Sequence, residues 1–120
     1  MCSPIELIVS LSPGNAELPQ ILNPDGSRSP FVIPARQSFV ATDISANRIS
    51  VVGTPVLLAI NLEQDLGPGG TVARWQFVGE ITQNVERSFT TGIQFAAPFK
   101  INLLASTGDS FSIRINGLFM

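Results

Sequence analysis

The chain contains no histidine, and that absence excludes more than any residue present. A serine or cysteine nucleophile activated by a neighbouring imidazole is ruled out. The commonest protein ligand for zinc, copper and non-haem iron is missing as well. The single cysteine, Cys2, cannot close an internal disulfide, so the fold does not depend on an oxidising compartment. Alone, it cannot build a structural metal site, and no basic neighbour lowers its pKa. Charge is scarce too: 13% of the 120 residues are Asp, Glu, Lys or Arg, where an average domain carries about 25%. The seven basic residues are scattered, so nothing neutralises a run of phosphates and a nucleic-acid partner is not expected. Long apolar runs are also missing. The densest, Val56 to Ile60, is the length of a strand and too short to span a bilayer. With neither a secretory signal nor a transmembrane stretch, the expectation is a soluble protein, cytoplasmic by default.

What remains is a chain of 120 residues with 44% apolar content, which fits one domain over residues 1–120. So few charges cover a small protein's surface poorly. Part of that surface is therefore expected to be buried against other subunits.

Helical periodicity is almost absent. Short β-rich runs alternate with turn residues, the pattern of an antiparallel sandwich. The runs are Ile5–Leu11, Phe31–Ile33, Ser38–Ile44, Arg48–Val52, Pro55–Leu62, Thr71–Ile81, Ser88–Phe95, Phe99–Ala105 and Ser110–Phe119. A helical turn fits between Ala16 and Leu22, cut short by Pro19. Asn23-Pro24-Asp25-Gly26 and Gly67-Pro68-Gly69-Gly70 read as turns, since Pro presets φ and Gly accepts positive φ. In Ser38–Ile44, strict alternation places Phe39, Ala41 and Asp43 on one face, and in Ser88–Phe95 it places Phe89, Thr91, Ile93 and Phe95 on one side. A turn is expected near Ala46-Asn47, and Gln83–Arg87 reads as a polar connection. Pro55–Leu62 is so continuously apolar that both of its faces are expected to be buried. In the last run, Phe111, Ile113 and Ile115 face inward and Ser112, Arg114 and Asn116 outward. Eight or nine strands without crossover helices require antiparallel sheets. The predicted fold is an all-β antiparallel sandwich of jelly-roll type, with an immunoglobulin-like sandwich as the alternative.

The last third carries a resemblance. Phe89-Thr90-Thr91-Gly92-Ile93, Phe99-Lys100-Ile101 and the alternating Ser110-Phe111-Ser112-Ile113-Arg114-Ile115-Asn116-Gly117-Leu118 resemble the C-terminal end of compact TNF-like and C1q-like jelly rolls. They also resemble small uncharacterised bacterial β-sandwich proteins. The resemblance implies a jelly roll that assembles as a trimer.

The chemistry on offer is sparse. Asp43, Glu63, Asp65, Glu80 and Asp109 are the candidate acids for a glycosidase pair, which needs two carboxylates across a cleft, but no spacing brings two together. Glu63 and Asp65 before the glycine loop are oxygen donors too few for calcium. The glycine loop lacks the Gly-Lys-Ser/Thr ending of a phosphate cradle. No catalytic residue, metal ligand or cofactor site is identified. Trp75 is the candidate ligand-binding residue, because an exposed indole stacks on a sugar ring; otherwise it packs with Phe77 in the core. Its neighbour Arg74 is expected on the opposite face. Arg36, Arg48, Arg87 and Arg114 read as surface or interface groups. Leu57, Leu104 and Leu118, with Arg114 pairing an acid across a boundary, are the candidate oligomer-interface residues. The functional expectation is a non-catalytic structural module forming a homo-oligomer, a trimer, with a carbohydrate-binding module as the alternative.

Overall fold

The computed structural model describes residues 4–49 and 54–120. Cys2 and the end of the predicted Arg48–Val52 run lie outside the described residues. Among the described residues, ten strands form two antiparallel sheets. They are β1 (Pro4–Leu11), β2 (Ala16–Glu17), β3 (Gln20–Leu22), β4 (Arg28–Pro30), β5 (Phe39–Arg48), β6 (Val56–Asp65), β7 (Thr71–Ile81), β8 (Asn84–Phe95), β9 (Phe99–Ala105) and β10 (Phe111–Phe119). One sheet has six strands in the order β4-β3-β1-β10-β5-β8, and the other has four, β2-β9-β6-β7. The chain passes repeatedly from one sheet to the other, so first and last long strands, β1 and β10, lie side by side. The all-β antiparallel sandwich expected from the alternation is the fold found.

The core lies between the sheets and comes from the inward member of each alternating pair. Phe111, Ile113 and Ile115 of β10, Phe99, Ile101 and Leu103 of β9, and Leu58, Ile60 and Leu62 of β6 are all at most 1% exposed. At one end the rings interlock. Phe95 and Phe99 lie 4.1 Å apart between centroids, and Phe31 meets both Phe39 and Phe99 edge-on at 5.4 and 5.3 Å. Such contacts add about 0.5–1.5 kcal/mol each beyond area burial. Phe31 does not begin a strand, as its run suggested. It is an anchor from the loop after β4, and its buried ring ties that loop to both sheets.

Several local expectations are corrected. Ala16–Leu22 holds two short strands, β2 and β3, and no helical turn. No turn falls at Ala46-Asn47: β5 runs on to Arg48, and Ala46 is buried between Ile113 and Val85. Gln83–Arg87 is not a connection, since β8 already begins at Asn84. The alternation in β5 is reset by a bulge, because Asp43 and Ala41 pair with successive β10 residues, Asn116 and Gly117, leaving Thr42 over. Ile44 therefore turns inward with Phe39 and Ala41, and Asp43 turns outward. Opposite, Phe89 to Gly92 of β8 lie across the same irregularity. Thr91 is exposed there rather than inward, and Gly92 takes φ +76°. Finally, β6 buries only one face. Leu58, Ile60 and Leu62 are inward, but Leu57 is 57% exposed.

At Gly117, β10 leaves no room for a side chain against β5. A Cβ there would collide with the Val40 carbonyl oxygen and with the buried ring of Phe39. Neither the backbone nor a packed ring moves cheaply. Gly117→Ala is expected to lower stability by about 1–3 kcal/mol, the range for overpacking, as read from the midpoint of urea unfolding.

Candidate functional site

The alternation that fills the core also decides what the two outward faces display. On the four-stranded sheet, Ala59 of β6 pairs with Val78 of β7 on one side and with Leu104 of β9 on the other. Leu57 stands on the same face in β6, opposite Glu80. Leu57, Val78 and Leu104 are 57%, 61% and 52% exposed. They are adjacent, so they form one apolar patch across three neighbouring strands. The next row is made of amides: Gln76, Asn61 and Asn102. Asn102 Nδ2 donates to Glu63 Oε2 at 3.3 Å. Asn61 Oδ1 is buried and has no hydrogen-bond partner, a defect that costs about 1–3 kcal/mol when water is excluded.

The outward face of the six-stranded sheet is polar in its middle. Arg114 Nη1 donates to Glu6 Oε1 at 3.1 Å, pairing β10 with β1 within one chain. Both side chains are solvent-accessible, so the pair contributes little. Asn116 Nδ2 donates to Asp43 Oδ1 at 2.7 Å. At the bulge, Asp43, Glu86, Ser88 and Asn116 line a small polar hollow of about 260 Å³. Leu118 lies beyond it on the same face, beside Val40. The four predicted interface residues thus fall on opposite faces, Leu57 and Leu104 on one and Arg114 and Leu118 on the other. Val78, on the first of these faces, was missed because Leu57 and Leu104 alone were singled out. Glu86 was missed because the register of β8 depends on the bulge.

Trp75 lies at the open side of the sandwich, where the edge strands β7 and β8 face each other across the two sheets. Its ring meets Phe89 at 5.2 Å, edge-on, and it is half-buried against the core with Phe77. Arg74 is not on the opposite face. A bulge in β7, where Leu62 and Glu63 pair with Trp75 and Ala73, leaves Arg74 over. Its guanidinium sits 5.4 Å from the centroid of the buried Phe95 ring, and Nη1 donates to Gln64 Oε1. Arg87 lies likewise 5.0 Å from the Phe77 centroid. The two cations flank an aromatic seam.

Two further candidate acids, Asp65 and Asp109, are engaged separately. Asp65 Oδ1 accepts the Gly67 N–H at 2.8 Å. Asp109 holds Arg48, which is not a surface group. The Arg48 side chain is 3% exposed, with Nε and Nη2 donating to Asp109 Oδ2 at 2.8 and 2.6 Å. Nη1 donates to the carbonyls of Thr54 and Thr82, and the Arg48 carbonyl accepts from Gln83 Nε2. One guanidinium thereby joins the end of β5 to three connections at one end of the sandwich. Among the described residues, no three His, Cys, Asp or Glu side chains gather to hold a metal. No protein-family model and no curated protein matches the chain.

Two expectations follow from these polar groups. Asp109→Ala strands a buried guanidinium, whereas Arg48→Ala leaves a carboxylate with a route to water. Asp109→Ala is therefore the costlier, by the 3–5 kcal/mol or so of a broken buried pair, and chemical denaturation of both variants checks the order. In the β3–β4 turn, the Ser27 hydroxyl and N–H both donate to Asp25 Oδ1, at 2.6 and 2.9 Å. They hold the Asp25 carboxyl below the ordinary aspartate range. A carboxylate depressed in the folded state stabilises above its unfolded pKa of about 4. That contribution is lost as pH falls through the folded value. Amide exchange at Ser27 should accelerate relative to the core only in that acidic window, and Asp25→Asn should remove the dependence.

Proposed function

We propose that the protein is a non-catalytic structural module that assembles with copies of itself. One observation carries this reading: the contiguous apolar patch of Leu57, Val78 and Leu104 on an outward sheet face. Contiguous exposed apolar surface rimmed by polar residues marks an interaction site. The low charge content points the same way, as a chain with 13% charged residues has little else to keep such a face in water.

The jelly-roll reading is supported by the strand order. Apart from the edge strands β4 and β3, the two sheets are ordered β1-β10-β5-β8 and β2-β9-β6-β7, which interleave as two Greek keys do. With the resemblance of the last third to TNF-like and C1q-like domains, this favours an assembly of three chains. Leu118 and Arg114, on the six-stranded face, are then available for a contact distinct from that of Leu57 and Leu104. The carbohydrate-binding alternative has less support, because the Trp75 ring that would stack on a sugar packs against Phe89.

Light scattering across a dilution series tests the reading. A mass of several chains at high concentration is expected, falling on dilution. A mass of one chain at every concentration overturns it.

A further inference from the structure

The outward face of the four-stranded sheet carries a symmetry that mere apolarity does not require. Its central strand, β6, presents Leu57, Ala59, Asn61 and Glu63 in line. To either side of Ala59 stand Val78 and Leu104, both aliphatic. To either side of Asn61 stand Gln76 and Asn102, both amides. In these two central rows like flanks like on both sides of β6. A two-fold axis running along β6 and parallel to the sheet exchanges the β7 side of one copy with the β9 side of the other. Val78 then meets Leu104 twice, and Gln76 meets Asn102 twice. Ala59 sits at the centre, where its single methyl leaves room for the opposing strand.

The polar groups agree with the same axis. Asn61 lies on it, so two Asn61 amides face each other. The Oδ1 that has no partner within the chain gains a donor in the opposing Nδ2 once the soft terminal torsion turns it outward. Glu80 meets Ser106, which lies across from Leu57 on β9. At the far end the two Glu63 carboxylates come together, but each stands beside a Lys100. Two acids and two ammonium groups leave that row neutral.

We propose that two copies of the chain pair face to face through their four-stranded sheets, about a two-fold axis along β6. The proposal rests on the assembly reading above and names the partner of this face as a second copy. Sheets packed this way lie about 10 Å apart. The ten, eleven and seven residues of β6, β7 and β9, rising ~3.3 Å each in strands ~4.8 Å apart, present roughly 450 Å² per copy. The pair buries about 900 Å² in total, in the range of weak, transient contacts. The contact is therefore weak and concentration-dependent. It yields an even number of chains: two, or two rings of three if the other face makes a trimer.

A charge exchange tests the axis itself. Val78→Lys and Leu104→Glu each place a charge against an aliphatic side chain, twice per pair. Each is expected to weaken pairing by at least about tenfold in Kd. The double variant sets the introduced ammonium against the introduced carboxylate across the axis and restores pairing. Both positions of change are more than half exposed in one chain, and a thermal melt of each of the three variants verifies the fold. Sedimentation of the wild type and the three variants gives the masses. If neither single variant changes an oligomeric wild-type mass, this face is not the contact, and the assembly reading stands without it. If both single variants dissociate and the double does not recover, the axis along β6 is wrong. A wild type of one chain at all concentrations overturns this proposal and the assembly reading together.

Discussion

The inward faces of the two sheets meet in a cluster of aromatic rings, and the architecture is organised around that contact. Phe39 and Phe95 come from the six-stranded sheet, Phe99 from the four-stranded one and Phe31 from a loop. Because a β-strand offers side chains alternately to two faces, committing these rings inward fixes which residues point to water along the same strands. Leu57, Leu104 and Arg114 are each the outward neighbour of a buried residue, Leu58, Leu103 and Ile113. A slip of one residue would exchange the two sets, so the apolar core guarantees the register that also builds the outward faces.

The sandwich is closed unevenly. At one end Arg48 reaches Asp109, Thr54 and Thr82, so the connections there are held by a buried charge rather than by apolar packing. Along the β7–β8 side the sheets are joined by half-buried rings, Trp75 against Phe89, with Arg74 and Arg87 over neighbouring rings. Aromatic and guanidinium groups suit that boundary, as each has an apolar body and a polar rim. Bulges in β5, β7 and β8 accumulate next to these features. They raise the local twist and re-aim Asp43 and Arg74 away from the faces that strict alternation assigns them.

The surface that results is poor in reactive groups and rich in ordered apolar area. The carboxylates of Asp43, Asp65 and Asp109 each hold a donor from elsewhere in the chain. Leu57, Val78 and Leu104, by contrast, are each more than half exposed. The aliphatic and amide rows on either side of β6 are what the proposed pairing of two copies draws on.

The sequence by itself determined the fold class and the inward sets of its most regular strands. In β9 and β10 no bulge interrupts the inward sets Phe99, Ile101, Leu103 and Phe111, Ile113, Ile115, so period and burial coincide. The glycine and proline turns at residues 23–26 and 67–70 were legible for the same local reason: their φ preferences act within a few bonds. The candidate surface was legible only in part. Leu57 and Leu104 are identifiable as apolar residues with no assured place in the core, but nothing in the chain order says that they share a face with Val78, or that Arg114 and Leu118 lie on the opposite one. The tertiary structure also decided the orientation of Asp43 and Arg74, the burial of Arg48 and the role of Phe31. Bulges depend on the register of the neighbouring strand, and a buried arginine depends on partners up to 61 positions away. Neither constraint is written into the residues beside it.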